Sequence, residues 1–161
     1  MKREFDGEGL RLASYQARLC EASLRQGKES SPIFLRRLMK SDYIRRLDEL
    51  GSAFSALEEE EGFRALREQY GESQYGKIRF SPEELHWIGW IYRYIAYTRD
   101  APSSMVYAKI KPDYLRQVYR VFHTQDEEWA VARIFSALGL SDEDFDKNAI
   151  FKKGLRERFQ A

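Results

Sequence analysis

Apolar residues recur at three- and four-residue steps along most of this chain, and Leu10, Ala13, Ala17, Cys20 and Leu24 set the pattern. That stripe predicts an amphipathic helix from about Leu10 to Gln26, with Gly27 at its C-cap. Ser31 followed by Pro32 reads as N-cap and first helical residue of the next segment. A restart is expected at Ser41 and a stop at Gly51. An acidic helix is expected from Ala53 to Tyr70, burying Leu57, Phe63, Leu66 and Tyr70. The stretch Gly71 to Phe80 reads as a loop with a short extended piece, because its alternation and two glycines oppose a helix.

Ser81, Pro82 and Glu84 then form a capping box with a proline start. They open the segment HWIGWIYRYIAYT, His86 to Thr98, the most apolar part of the chain. At about 100° per residue, Leu85, Ile88, Tyr92 and Ile95 share one face, and Trp87, Ile91 and Tyr94 share the next. Gly89 would let a neighbouring helix come close. A mixed stripe remains, made of His86, Trp90, Arg93 and Tyr97. A spanning helix needs about 20 mostly apolar residues, whereas this one is shorter and carries Arg93 at its centre. It therefore reads as a core helix and not as a membrane anchor.

Beyond it, Ser104 is expected to cap a short helix ending near Ile110. The next helix places Leu115, Val118, Tyr119 and Phe122 on one side. Thr124 to Glu127 reads as a second capping box. It opens a helix with Trp129, Ala132, Ile134, Phe135 and Leu138, stopped by Gly139. Ser141 starts a last turn, and residues 150–160 read as a final helix. The expectation is a single all-α domain over residues 1–161, a bundle of seven or eight short helices around the aromatic one.

Charge narrows the function. Twenty-seven basic and 26 acidic residues give a net charge of +1, without the basic excess of a dedicated nucleic-acid binder. The Glu58 to Glu61 run reads as a solvated face. The basic groups Arg36, Arg37, Lys40, Arg45 and Arg46 form a modest cluster that could touch nucleic acid or an acidic partner. One cysteine and two histidines argue against a disulfide framework and a structural zinc site; neither metal nor cofactor is expected. Cys20 lies on an apolar stripe and reads as a small core residue. The N-terminus MKREFDGEGL lacks the apolar run of a signal peptide, which points to the cytoplasm.

Two chemical readings follow. Arg116 precedes His123 with six residues between them, and that spacing resembles the ribonuclease motif of HEPN-family proteins. The resemblance implies His123 as general acid/base and Arg116 as a stabiliser of phosphate charge, without a metal and in a dimer. On the stripe, Arg93 between Trp90 and Tyr97 could form a cation–π site, or could pair with a carboxylate while the rings cover the core.

A broader resemblance spans His86 to Ile134. Gly89-Trp90-Ile91-Tyr92-Arg93-Tyr94 with Tyr97-Thr98, then Ser103-Ser104 with Val106-Tyr107, then Phe122-His123-Thr124-Gln125-Asp126 resemble the pattern of small bacterial antitoxin-like proteins from toxin–antitoxin and phage-defence operons. Phe122 stands where that pattern has Tyr. The resemblance implies a non-catalytic protein that neutralises a co-encoded toxin by direct binding. Trp90, Arg93, Tyr97 and His123 would be the partner-binding residues if they are exposed.

Overall fold

The sequence folds in a computed structural model that describes residues 2–146 and Arg158. Eight α-helices and no strand occur among the described residues: α1 (Gly7–Gln26), α2 (Ser31–Lys40), α3 (Asp42–Leu50), α4 (Glu59–Tyr70), α5 (Pro82–Thr98), α6 (Ser103–Lys109), α7 (Pro112–Phe122) and α8 (Glu127–Leu138). Short 3₁₀ turns follow α3 and α8. The final helix expected over residues 150–160 lies outside the described residues, Arg158 apart.

The aromatic helix α5 is the axis of the fold. Its residues from Ile91 to Thr98 are all buried, and Leu85 and Ile88 are sealed completely. Helix α1 packs along it, with Ala13, Ala17 and Cys20 on the contact side. The approach is close because α5 has a glycine there: a Cβ at Gly89 would stand 2.8 Å from the Gln16 carbonyl oxygen and 2.9 Å from Cys20 Sγ. Cys20 is fully buried, and burial pushes its thiol well above the ordinary range, so it behaves as a small apolar side chain. One continuous hydrophobic cluster runs from these two helices through residues of all the others to Phe145.

Arg93 sits in the middle of α5 and is only 2% exposed. Its Nη1 donates to Asp48 Oδ1 of α3 at 2.6 Å, its Nε to Gln16 Oε1 of α1 at 2.9 Å, and its Nη2 to Ser103 Oγ of α6 at 3.3 Å. Asp48 also accepts the Ser103 N–H at 2.8 Å and its hydroxyl at 2.7 Å. Gln16 in turn donates to the Gly89 carbonyl at 3.2 Å. A buried charge is tolerated only when it is paired and its hydrogen bonds are filled, and here three other helices supply the partners. Arg93 does pair with a carboxylate, as one reading expected, but in the interior and not at the rim.

Several boundaries differ from expectation for identifiable reasons. Helix α1 starts earlier, because Asp6 caps it by accepting the Gly9 N–H at 3.0 Å, and Leu10 is 49% exposed. Gly27 ends α1 in an extended conformation, with φ −157°. Ser30 and not Ser31 caps α2, since the Ser31 hydroxyl accepts the Phe80 N–H at 2.9 Å across the core. Helix α4 begins at Glu59, because Leu57 takes φ +58° and ends the chain's helical path there. Pro102 precedes α6, whose Ser103 is drawn to Asp48. Asp126 and not Thr124 caps α8, accepting the Trp129 N–H at 2.9 Å. Ala132 and Leu138 of α8 face solvent, and Ala130 and Val131 are buried in addition to Ile134 and Phe135. The Ser81–Glu84 capping box and the left-handed stop at Gly139 stand as expected. No helix of the described residues is long and apolar enough to cross a membrane.

Two substitutions test this core. Asp48→Ala leaves the Arg93 charge buried without its counter-ion and is expected to cost about 3–5 kcal/mol in chemical denaturation. Gly89→Ala gains helix propensity but meets the α1 backbone, and a net loss of about 1–3 kcal/mol is expected; a net gain would mean the helices can part freely.

Candidate functional site

The stripe His86, Trp90, Arg93 and Tyr97 does not stay together at the surface. Arg93 is enclosed, and Tyr97 is 6% exposed, with its hydroxyl donating to Asp6 Oδ1 at 2.6 Å. That bond, followed by the Gly9 N–H, holds the Asp6 carboxyl below its ordinary pKa. The N-terminal arm covers this part of α5: the Arg3 guanidinium lies 3.9 Å from the Tyr97 ring centre, and Phe5 packs against Trp90, Tyr94 and Tyr97. Exposure, the condition for serving a partner, therefore holds for His123 and in part for Trp90, and fails for Arg93 and Tyr97.

What the fold does bring together is a different set. The N-terminal half of α5 and the C-terminal end of α7 flank a surface groove of about 450 Å³ that contains both histidines. Trp87 and Trp90 line it from α5 and Tyr119 from α7, while Glu21, Glu83 and Glu127 stand around it. Trp87 meets Tyr119 edge-on at 5.8 Å, and His123 stacks on Tyr119 at 4.2 Å. The ring Nδ1 of His123 lies 2.7 Å from the Tyr119 carbonyl oxygen, which can only accept, so Nδ1 is the donor. Likewise His86 Nδ1 lies 3.2 Å from Glu21 Oε2. The indole N–H of Trp90 is buried with no acceptor; such a donor costs about 1–3 kcal/mol.

Sequence reasoning found His123 and Trp90, left His86 in the mixed stripe without a role, and placed Trp87 and Tyr119 on apolar faces of their helices. The available signal was a pair of matching His–aromatic spacings, His86 with Trp90 and Tyr119 with His123, each four residues apart.

Arg116 is not part of this groove. Its Nε donates to Glu84 Oε2 at 3.2 Å, and its guanidinium lies 4.5 Å from the Phe80 ring centre. Six residues lie between it and His123, the C-cap of α7, a rise of about 10 Å along the axis. Arg116 is thus engaged by Glu84, and no contact joins it to His123 among the described residues. Burial works to raise the Glu84 pKa, yet the Ser81 N–H and the Arg116 charge outweigh it and hold the carboxyl low.

The basic cluster is also divided. Arg37 turns to Glu29 at 3.6 Å, Arg45 to Asp42 at 3.5 Å, and Lys40 and Arg46 lie over the rings of Tyr107 and Phe54. Among Glu58 to Glu61, Glu59 faces Arg18, Glu60 faces Arg67, and Glu61 accepts from Ser55 and the Ala56 N–H. No group of three metal-ligating side chains occurs among the described residues. No family model, curated protein or solved structure matches this chain.

Glu84 gives a pH test. Its folded pKa is depressed, so the stability it adds is complete above the ordinary carboxylate range and is lost as pH falls through the folded value. Urea midpoints measured from about pH 6 to about pH 3 should therefore fall less steeply for Glu84→Gln than for the parent.

Proposed function

We propose that this protein is a non-catalytic binding module of the antitoxin kind, which neutralises a co-encoded toxin by holding it at the His86–His123 groove. One observation carries this reading: two histidines, two tryptophans and a tyrosine converge on a single surface groove ringed by three carboxylates. All of its lining residues except Glu21 and Glu83 fall within His86 to Ile134, the segment that resembles antitoxin-like proteins.

The chemistry favours a basic segment of the partner. Aromatic faces attract a guanidinium or ammonium group, and carboxylates at the rim complete its coordination. Glu83 and Glu127 have no ionic or hydrogen-bonded partner among the described residues, so a cation meets them unoccupied. Half-buried aromatic rings are also the usual anchors of tight interfaces. The ribonuclease reading has less support. It needs Arg116 and His123 on one phosphate, and Arg116 is already held by Glu84.

The test is co-expression with the product of the neighbouring gene. Growth arrest by that product should be relieved by the parent protein. The double variant Glu83→Lys with His123→Ala should bind it at least ~10-fold more weakly, about 1.4 kcal/mol, and fail to rescue. Full rescue by the variant would remove the groove from the interface. RNA cleavage by the pure protein that vanishes in His123→Ala would favour the ribonuclease instead.

A further inference from the structure

A second concavity lies at the C-terminal end of α1, and its charge is opposite to that of the groove. It has a volume of about 490 Å³ and is closed by α2, α4 and the loop that follows α4. Five basic residues line it against two acidic ones, Glu29 and Glu72. The floor is apolar, made by Leu24, Phe34, Phe63 and Leu66.

The five cations are not equivalent. Arg79 is committed to structure: it donates to the carbonyl oxygens of Leu24 at 2.6 Å and Gly27 at 3.1 Å. In doing so it covers the exposed carbonyls that would repel an anion at the end of a helix. Arg37 is held loosely, 3.6 Å from Glu29 Oε2 and 3.3 Å from the Gly71 carbonyl oxygen. Arg67 is 3.6 Å from Glu60, and both are well exposed. Arg25 and Lys28 have no ionic or hydrogen-bonded partner among the described residues. Positive charge is thus concentrated at a concave site, and at Arg25 and Lys28 it is left without such a partner.

Glu29 is the odd member. Its Oε2 is buried without a hydrogen bond, beyond hydrogen-bonding distance of Arg37, and burial pushes its carboxyl up against the opposing pull of that arginine. A ligand oxygen that replaced it beside Arg37 would relieve an unsatisfied contact.

We propose that this cavity binds a nucleoside phosphate, with the phosphates held by Arg25, Lys28, Arg37 and Arg67 and the nucleoside resting on the apolar floor. Several converging cations suit the multiple charges of a phosphate chain better than a single carboxylate, and guanidinium forks match phosphate oxygens in pairs. The volume is that of ordinary small-molecule sites. The site is separate from the His86–His123 groove and does not depend on the function proposed for it.

Calorimetric titration of the full chain with AMP, ADP and ATP, at about 50 and about 300 mM salt, tests it. Binding at one site per chain is expected, tightening with phosphate number and weakening with salt. The double variant Arg25→Glu with Lys28→Glu should lose at least ~10-fold in affinity, whereas Arg120→Glu with Arg133→Glu, the same charge change at exposed positions outside the cavity, is the matched control. Both altered side chains of the double variant are exposed, so folding is preserved. Glu29→Gln removes the competing carboxylate and should tighten binding. No binding up to about 1 mM, inorganic phosphate binding as tightly as ATP, or a double variant with unchanged affinity would each overturn the proposal.

Discussion

The guanidinium of Arg93 is the constraint around which the other helices are placed. It lies inside a helix buried continuously from Ile91 to Thr98, and its charge would be prohibitive there without Asp48, Gln16 and Ser103. Those three groups come from α3, α1 and α6, so a single side chain requires three helices to reach fixed positions relative to α5. Hydrophobic burial alone would tolerate helices that slide or rotate by a fraction of a turn. A hydrogen-bonded ion pair in the interior does not, because misplacing one partner leaves a buried charge unmet. The pair thus restricts the arrangement more than it adds net stability.

That geometry depends on an adjoining one. Gln16 reaches Arg93 because α1 lies against α5 at Gly89, and the Gln16 amide also donates to the Gly89 carbonyl. The contact is made of small residues, so the two backbones come within reach of each other's side-chain amides. The N-terminal arm then uses what remains of α5: Phe5 covers the rings of Tyr94 and Tyr97, and Asp6 joins the Tyr97 hydroxyl to the start of α1. An aromatic stripe that could have been an interface is consumed in holding the chain's own beginning.

The periodicity of apolar residues made the helices legible, because a 3.6-residue repeat is a local property and most of the core follows it. Helix caps were less so. Runs such as Ser30-Ser31, Ser103-Ser104 and Thr124 to Asp126 each contain more than one side chain able to cap, and tertiary demands decide between them. Ser31 is taken by Phe80 and Ser103 by Asp48, in both cases from distant parts of the chain. The burial of Arg93 was hidden for the same reason, since its carboxylate stands 45 positions away. Of the site, the sequence pattern pointed to His123 and Trp90. The convergence of Trp87, Tyr119 and His86 depends on how α7 crosses α5, which no local repeat encodes.

Charge accounting explains why these two concave regions, among those of the described residues, are the ones we propose for binding. Most arginines near the core are occupied: Arg93 with Asp48, Arg99 with Asp142, Arg116 with Glu84, Arg79 with backbone carbonyls. Releasing any of them for a ligand would expose a cost elsewhere, and for Arg116 the cost includes a carboxylate that also caps α5. Glu83 and Glu127 at the groove, and Arg25 and Lys28 at the cavity, carry no such obligation. A cation at the first place meets Glu83 and Glu127, and an anion at the second meets Arg25 and Lys28, without displacing a partner of those four groups, while Arg37 and Arg67 would exchange the long contacts to Glu29 and Glu60. The separation of the two signs along a nearly neutral chain gives the two concave regions opposite charge, which is why the ligands proposed for them differ in kind.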